Sequence, residues 1–187
     1  MKSFYSLLFI VFLILNQPCL AQVKNCQSHK SFATTSSIYY SPENLRSDTF
    51  DIIKYTISLD ITDFANQKIK GNTIVRYAPK LNGQTKISLD LLKMTIDSIT
   101  QNSTVLSYAY NDTLLRVNLP VTVNTTDTNN LIVYYHGAPQ GDPAGWGGFS
   151  FSGNYAYNLG VGFGANPHNY GRVWFPCFDN FVEKSKY

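Results

Sequence analysis

One run of residues, in which apolar and polar side chains alternate without interruption, constrains this chain more than any other feature. The run extends from Ile53 to Thr62. A period of two places every second side chain on the same side of an extended backbone, so that one face is buried and the other meets water. The pattern predicts a half-buried β-strand whose core face carries Ile53, Tyr55, Ile57, Leu59 and Ile61.

Shorter segments of the same character follow, separated by turn-forming residues at intervals of about ten residues. Asn82-Gly83 and Asn111-Asp112 are typical of tight turns. No window between residues 50 and 136 has a helical period. The sequence therefore predicts an all-β fold, an antiparallel sandwich or barrel, with further strands at Lys68–Tyr77, Thr85–Leu91, Met94–Thr100, Val105–Tyr110, Leu114–Leu119 and Asn130–His136.

The composition changes after Gly137. Ten of the 12 glycines lie between Gly137 and Gly171, and aromatic residues are interleaved with them. Flexible linkers lack such aromatics, so we expect packed loops and short strands here. The sequence stops at Tyr187, where a new strand pattern begins. We therefore expect a truncated chain that leaves an apolar patch exposed on its C-terminal part.

The first 21 residues have the character of an export signal. Lys2 precedes a 12-residue apolar run, Phe4–Leu15, and Cys19-Leu20-Ala21 offers a small-residue cleavage site. The run is too short for a membrane anchor, which needs about 20 apolar residues. A lipoprotein signal would have a small residue where Pro18 stands. We expect residues 1–21 to be removed, residues 22–48 to form a flexible lead-in, and residues 49–187 to form one β domain, exported and free of the membrane.

Charge and composition exclude two classes of protein. Charged residues make up 14% of the chain, with a net charge of +3 and no basic stripe, which argues against nucleic-acid binding. Hydrophobic residues make up 44%, which argues against disorder. Asn102, Asn111 and Asn124 head glycosylation sequons, which matter only in a glycosylating pathway.

Two cysteines remain in the mature chain, Cys26 and Cys177. An oxidising compartment permits a bridge between them. We favour a buried thiol at Cys177 and a loosely held Cys26, because Cys26 lies in a polar stretch.

The residues that could take part in catalysis, or bind a metal ion or cofactor, are scattered along the sequence. Two histidines four apart with a glutamate between them would indicate a zinc helix, but no such pair exists, so we expect no metal site in this chain. Gly160–Ala165 matches a dinucleotide-binding pattern, but Pro167 follows and no helix is predicted there. Of His29, His136 and His168, we expect His136 to be a surface or satisfied histidine, and only His168 is a candidate for function.

The segment from Gly171 to Asp179 is the most specific part of the sequence. Pro176 fixes one backbone angle, while Trp174, Phe175 and Phe178 can fill a core beside it. Cys177 can act as a small buried apolar group, and Arg172 and Asp179 can pair or cap the local backbone. These residues predict a packed structural corner with no catalytic role.

The same segment resembles the AR-x-x-F-P-C-F-D-E-P signature of the aminopeptidase N family of zinc metallopeptidases. Strand sequences in the matching order extend the resemblance to residues 45–187, among them Ile87-Ser88-Leu89-Asp90 and Leu131–Gly137. The signature positions are Arg172, Phe175, Pro176, Cys177 and Asp179. Where the family commonly has Glu-Pro after the aspartate, this chain has Asn180-Phe181.

The resemblance implies a saddle-like, non-catalytic N-terminal domain that covers one side of an active-site cleft. The partner would be the catalytic domain of the same parent chain, which holds zinc and binds the peptide substrate. The His-Glu-x-x-His and Gly-x-Met-Glu-Asn segments of that domain do not occur in this sequence. We therefore expect no cofactor here and an inactive chain, with Asn166, His168 and Tyr170 bordering the cleft.

A second reading stays open. Exposed aromatic side chains among glycines suit flat ligands. The chain could therefore be a stand-alone secreted β-sandwich that binds peptide or carbohydrate through its aromatic loops.

The signal predicts a mature N-terminus at Gln22. Intact-mass measurement of exported material should show the loss of residues 1–21. A retained N-terminus, or lipid attached to Cys19, would contradict the prediction.

Overall fold

The computed structural model describes residues 46–164 and 168–179, which form an all-β unit preceded by one turn of helix, α1 (Arg46–Thr49). In this part of the chain no helix is long and apolar enough to cross a membrane. The strands are β1 (Phe50–Asp63), β2 (Lys68–Pro79), β3 (Gln84–Asp90), β4 (Thr95–Gln101), β5 (Thr104–Val105), β6 (Tyr108–Tyr110), β7 (Leu114–Val123), β8 (Asn129–Gly137), β9 (Gly147–Ser152) and β10 (Tyr155–Gly162). A short 3₁₀ turn, Gly171–Val173, follows.

The strands are antiparallel and form three sheets. A five-stranded sheet has the order β1-β2-β8-β4-β5, a three-stranded sheet has the order β3-β7-β6, and β9 and β10 form a hairpin. The five-stranded sheet and the three-stranded sheet contribute to one hydrophobic core, and burial of this apolar surface is the main stabilising term. Fully buried core residues include Val75, Ile99 and Leu131 from the first sheet and Leu89 and Val117 from the second.

Strand β1 departs from simple alternation at a bulge. Its register against β2 shifts between Ile52 and Lys54. The additional residue reverses the phase of the side chains, so Ile52 is fully buried while Ile53 is only half-buried. The prediction that Ile53 faces the core is therefore wrong. The prediction for Ile61 is also wrong, because a second shift lies between Asp60 and Asp63 and Ile61 is 36% exposed.

The strand predicted at Val105–Tyr110 is divided between two sheets. Strand β5 pairs with β4 in the five-stranded sheet, and β6 pairs with β7 in the three-stranded sheet. The transfer takes place between two residues: the Leu106 amide donates to the Ile99 carbonyl, and the Ser107 carbonyl accepts from the Asn118 amide. This crossing ties the two sheets together at one edge of the core.

Two buried tyrosines have hydrogen-bond partners inside the five-stranded sheet. The Tyr77 hydroxyl donates to Gln101 Oε1 at 2.9 Å, and the Tyr135 and Thr73 hydroxyls lie 3.3 Å apart. Burial raises the pKa of both tyrosines to about 12. The hydroxyls therefore stay neutral and serve as structural hydrogen-bonding groups.

The bulge generates a test that uses adjacent residues. Ile52→Ala should lower the free energy of unfolding by about 2–5 kcal/mol, because it leaves a cavity in the core. Ile53→Ala should cost clearly less, since that side chain is half-buried. Urea denaturation of both variants measures the difference. A larger loss for Ile53→Ala than for Ile52→Ala would show that β1 alternates without the bulge.

Candidate functional site

The segment from Gly171 to Asp179 packs into the core of the protein. The Phe175, Cys177 and Phe178 side chains are all less than 7% exposed, and Pro176 is buried with them. The ring of Phe175 meets that of Tyr55 edge-on, with centroids 5.5 Å apart, and the Phe178 amide donates to the Tyr55 hydroxyl at 2.9 Å. The segment thus forms the packed corner that the sequence predicts, and strand β1 supplies the aromatic partner for it.

The aspartate at the end of this segment caps the turn at its beginning. Asp179 Oδ1 accepts from the Gly171 amide at 3.1 Å, and Asp179 Oδ2 accepts from the Arg172 amide at 3.3 Å. The Arg172 guanidinium lies 3.5 Å from the same carboxylate. The expected pairing and capping role of Arg172 and Asp179 is therefore present.

A second carboxylate, Asp90 at the end of β3, fastens the segment to the sheet. Asp90 Oδ2 accepts from the Arg46 guanidinium at 2.7 Å and from the Asp179 amide at 2.9 Å. The backbones of Asp90 and Cys177 also exchange two hydrogen bonds, of 2.7 and 3.0 Å. Sequence reasoning assigned Asp90 only to a strand, because nothing local indicates that its carboxylate meets residues so distant in the chain.

Burial changes the titration of two groups in this corner. Loss of solvent raises the pKa of the Asp179 carboxyl above its ordinary value, although Arg172 and the two backbone amides act in the opposite direction. Burial also raises the pKa of Cys177 well above its usual range, and Asp179 and Asp90 add to the effect. Cys177 is a free, buried thiol, as expected.

The three residues expected to border a cleft have different surroundings. Asn166 lies outside the described residues. His168 is exposed, and its Nδ1 lies 3.2 Å from the Gly162 carbonyl oxygen. Tyr170 is only 5% exposed, and Arg172 lies over its ring at 5.5 Å. Burial raises the pKa of the Tyr170 hydroxyl. A cleft role for these residues remains a prediction.

The carboxylate of Asp142 binds the backbone just after β10, a contact that the sequence did not predict. Asp142 is 6% exposed, and its carboxylate accepts from the Phe163 amide at 2.7 Å and from the Gly164 amide at 3.0 Å. The only sequence signal is that Asp142 is the last charged residue before Arg172. These hydrogen bonds fix the backbone of Phe163 and Gly164, which precede the expected cleft residues in the sequence.

The outer surface of the β9–β10 hairpin is apolar and open. We call it the hairpin face. Strand β10 contributes alternate residues, and Trp146 and Phe163 add two rings in edge contact with centroids 5.7 Å apart. The exposed fractions are 64% for Trp146, 77% for Tyr155, 48% for Tyr157, 52% for Leu159, 40% for Val161 and 60% for Phe163. These six side chains lie in the C-terminal part of the chain, where the sequence predicts an exposed apolar patch.

A hollow of about 610 Å³ lies at one end of the five-stranded sheet, among residues of β1, β2, β4 and β8. His136 belongs to its wall, and its Nδ1 lies 2.7 Å from Asp97 Oδ1. The prediction of a satisfied histidine at this position is confirmed. Within residues 46–164 and 168–179, no three His, Cys, Asp or Glu side chains are grouped so that they could hold a metal ion.

Comparisons with known proteins give a match at the level of structure. No protein-family model matches the sequence, and no curated protein matches it. The fold is similar to that of an M1 zinc metallopeptidase from Deinococcus radiodurans, with a TM-score of 0.62 and 20% identity over 73% of this chain. It is also similar to leukotriene A4 hydrolase from Saccharomyces cerevisiae, with a TM-score of 0.55 and 13% identity over 74% of this chain.

This chain spans only part of each of those proteins. It covers 31% of the Deinococcus radiodurans chain and 22% of the yeast chain. A related structure is described as a two-domain M1 zinc metallopeptidase bound to L-arginine. At these identities the likeness establishes a shared fold, here the all-β fold.

The buried carboxyl of Asp179 predicts a pH dependence of stability. Its folded pKa is raised above the ordinary value of 3.8, so its contribution is full below that value and is lost as pH rises through the folded pKa. Relative to Asp179→Asn, the free energy of unfolding of the wild type should therefore fall across this interval. Urea denaturation of both proteins at several pH values from 3.8 upward measures it. A difference that rises with pH would refute the assignment.

Proposed function

We propose that this chain is the N-terminal, non-catalytic β domain of an exported zinc-dependent aminopeptidase-like protein, whose other domain removes N-terminal residues from peptides. The observation that carries the proposal is the match between its fold and part of an M1 zinc metallopeptidase, together with part of a leukotriene A4 hydrolase. The match covers about three-quarters of this chain but less than a third of either protein. The Gly171–Asp179 segment, which resembles a signature of that family, supports it independently.

The packing of the signature segment supports a structural role. The two Asp179 carboxylate oxygens accept backbone amides, and Phe175, Cys177 and Phe178 lie in the core. A group that acts on a peptide must reach the reacting atoms. The side chains of this segment are buried, and Asp179 is bound to the backbone of the same segment. Their role is therefore to stabilise the domain.

Zinc does not fit the described residues of this chain. A catalytic zinc needs three protein ligands and an open position. His136 is paired with Asp97, His168 lies against the Gly162 carbonyl, and among the described residues neither histidine belongs to a group of three side chains that could hold a metal ion. Under our proposal, zinc and the activation of water belong to another domain of the parent protein.

A binding module is the second candidate, and the exposed tyrosines favour it. Tyr155 and Tyr157 stand beside each other on one face of β10 at 77% and 48% exposure. Exposed tyrosines are frequent in surfaces that bind peptides or sugars. Under this reading the chain would act alone, without a catalytic domain.

The coding sequence downstream of Tyr187 distinguishes the peptidase domain from the stand-alone binding module. We expect it to encode a Gly-x-Met-Glu-Asn segment followed by a His-Glu-x-x-His helix. A stop codon at this point in an intact gene would contradict the peptidase proposal and favour the binding module.

The chain from Gln22 to Tyr187 should hold no stoichiometric zinc and should release no product from an aminoacyl-4-nitroanilide. The reason is that its described residues lack a ligand cluster. Metal analysis after gel filtration and a chromogenic assay provide the two measurements, with a chelator-treated sample as the control. One tightly held zinc per chain, or turnover that the chelator abolishes, would overturn the non-catalytic role.

A further inference from the structure

The hollow at one end of the five-stranded sheet lies on the outer face of that sheet. The register places Lys70 of β2 between Asp60 of β1 and His136 of β8, so these three side chains form one row across the strands. The neighbouring side chains of Ile69 and Tyr135 are buried in the core, so the row faces outward. The volume of about 610 Å³ lies in the range of about 300–1,000 Å³ that is typical of small-molecule sites.

A bulge in β4 adds a second carboxylate to this row. The register of β4 against β8 shifts just before Ser98, and the additional residue is Asp97. Asp97 Oδ1 lies 2.7 Å from His136 Nδ1, while Asp60 Oδ1 accepts from the Thr62 amide at 2.9 Å and from its hydroxyl at 2.7 Å. Each carboxylate is therefore held by one oxygen and keeps a second oxygen that can accept from a ligand.

The hollow also contains donors that the protein does not use. Within the part of the chain that the structure describes, Lys68 and Lys70 form no hydrogen bond and no ion pair, although carboxylates line the same hollow. The Tyr134 hydroxyl has no hydrogen-bond partner among those residues either, and the side chain is 38% exposed. The tyrosine ring and the aliphatic stems of the lysines give the wall apolar surface between its polar groups.

The composition of this wall selects the chemistry of a ligand. Three aspartates and two lysines line the hollow, so charges of opposite sign nearly cancel, and the carboxylates would repel an anion. No three side chains among the described residues are grouped to hold a metal ion. The hydroxyls of a neutral sugar both donate and accept hydrogen bonds, and a sugar ring has an apolar face that packs on an aromatic ring. A neutral sugar therefore satisfies every group of the wall.

We propose that this hollow is a binding site for a neutral oligosaccharide. The ring of Tyr134 packs against one sugar ring. Asp60 and Asp97 accept hydrogen bonds from the sugar hydroxyls, and Lys68 and Lys70 donate to the sugar oxygens. The site lies on the five-stranded sheet and does not include the hairpin face, and binding there requires no zinc domain. It is therefore separate from both candidate functions described above.

Isothermal titration calorimetry of the full-length protein tests the proposal. The probes are neutral tetrasaccharides of glucose, mannose, galactose and N-acetylglucosamine, with tetragalacturonate and inorganic phosphate as anionic probes. At least one neutral tetrasaccharide should bind saturably. Tyr134→Ala should weaken that binding at least about tenfold, whereas Tyr134→Phe should retain most of it, because the ring remains. Lys70→Met, which removes a donor and keeps the aliphatic stem, should weaken it severalfold.

Tyr157→Ala is the matched control, because Tyr157 is 48% exposed on the hairpin face and should not affect binding. If no neutral tetrasaccharide binds, the proposal is wrong. Binding of tetragalacturonate or phosphate alone would identify an anion site in its place. Binding that Tyr157→Ala abolishes and Tyr134→Ala leaves intact would locate the sugar on the hairpin face and favour the stand-alone binding module. Binding that neither Tyr134→Ala nor Lys70→Met weakens lies outside the hollow and equally overturns the proposal.

Discussion

The carboxylate of Asp90 joins three parts of the chain that are distant in sequence. It accepts from Arg46 before the first strand and from the Asp179 amide at the end of the described chain, while its own backbone pairs with Cys177. The Asp90 side chain is only 14% exposed, and withdrawing a carboxylate from water is costly unless its oxygens are hydrogen-bonded. The arrangement therefore exists only when all three parts are in place, and it makes the Gly171–Asp179 corner part of the same core as the sheets.

The sequence predicts the strands well because their signal is local. Alternation of side chains needs no knowledge of the partner strand, so the bounds of β2 and β8 agree with prediction to within about two residues. The bulge at Ile53 and the division of β5 from β6 could not be predicted in this way. The bulge depends on how β1 pairs with β2. The crossing near Leu106 depends on which sheet has an unpaired edge strand at that point.

The candidate site shows the same division between local and distant contacts. Capping of Gly171 and Arg172 by Asp179 spans one short segment, and it follows from polar residues on both sides of an apolar run. The contribution of Asp142 was missed because its carboxylate meets amides about twenty residues further along the chain. An exposed apolar patch was expected in the C-terminal part, but which aromatic side chains are exposed depends on how β9 packs against the core.

The buried thiol of Cys177 determines how this corner of the protein responds to the redox state of the medium. Thiol–disulfide exchange requires a thiolate that another sulfur can reach. Burial leaves Cys177 4% exposed and raises its pKa, so it is both protonated and shielded. The corner around it is joined by hydrogen bonds, an ion pair and aromatic contacts, none of which changes with the oxidation state of the medium. The contacts at this corner are consequently the same whether the medium around the protein is reducing or oxidising.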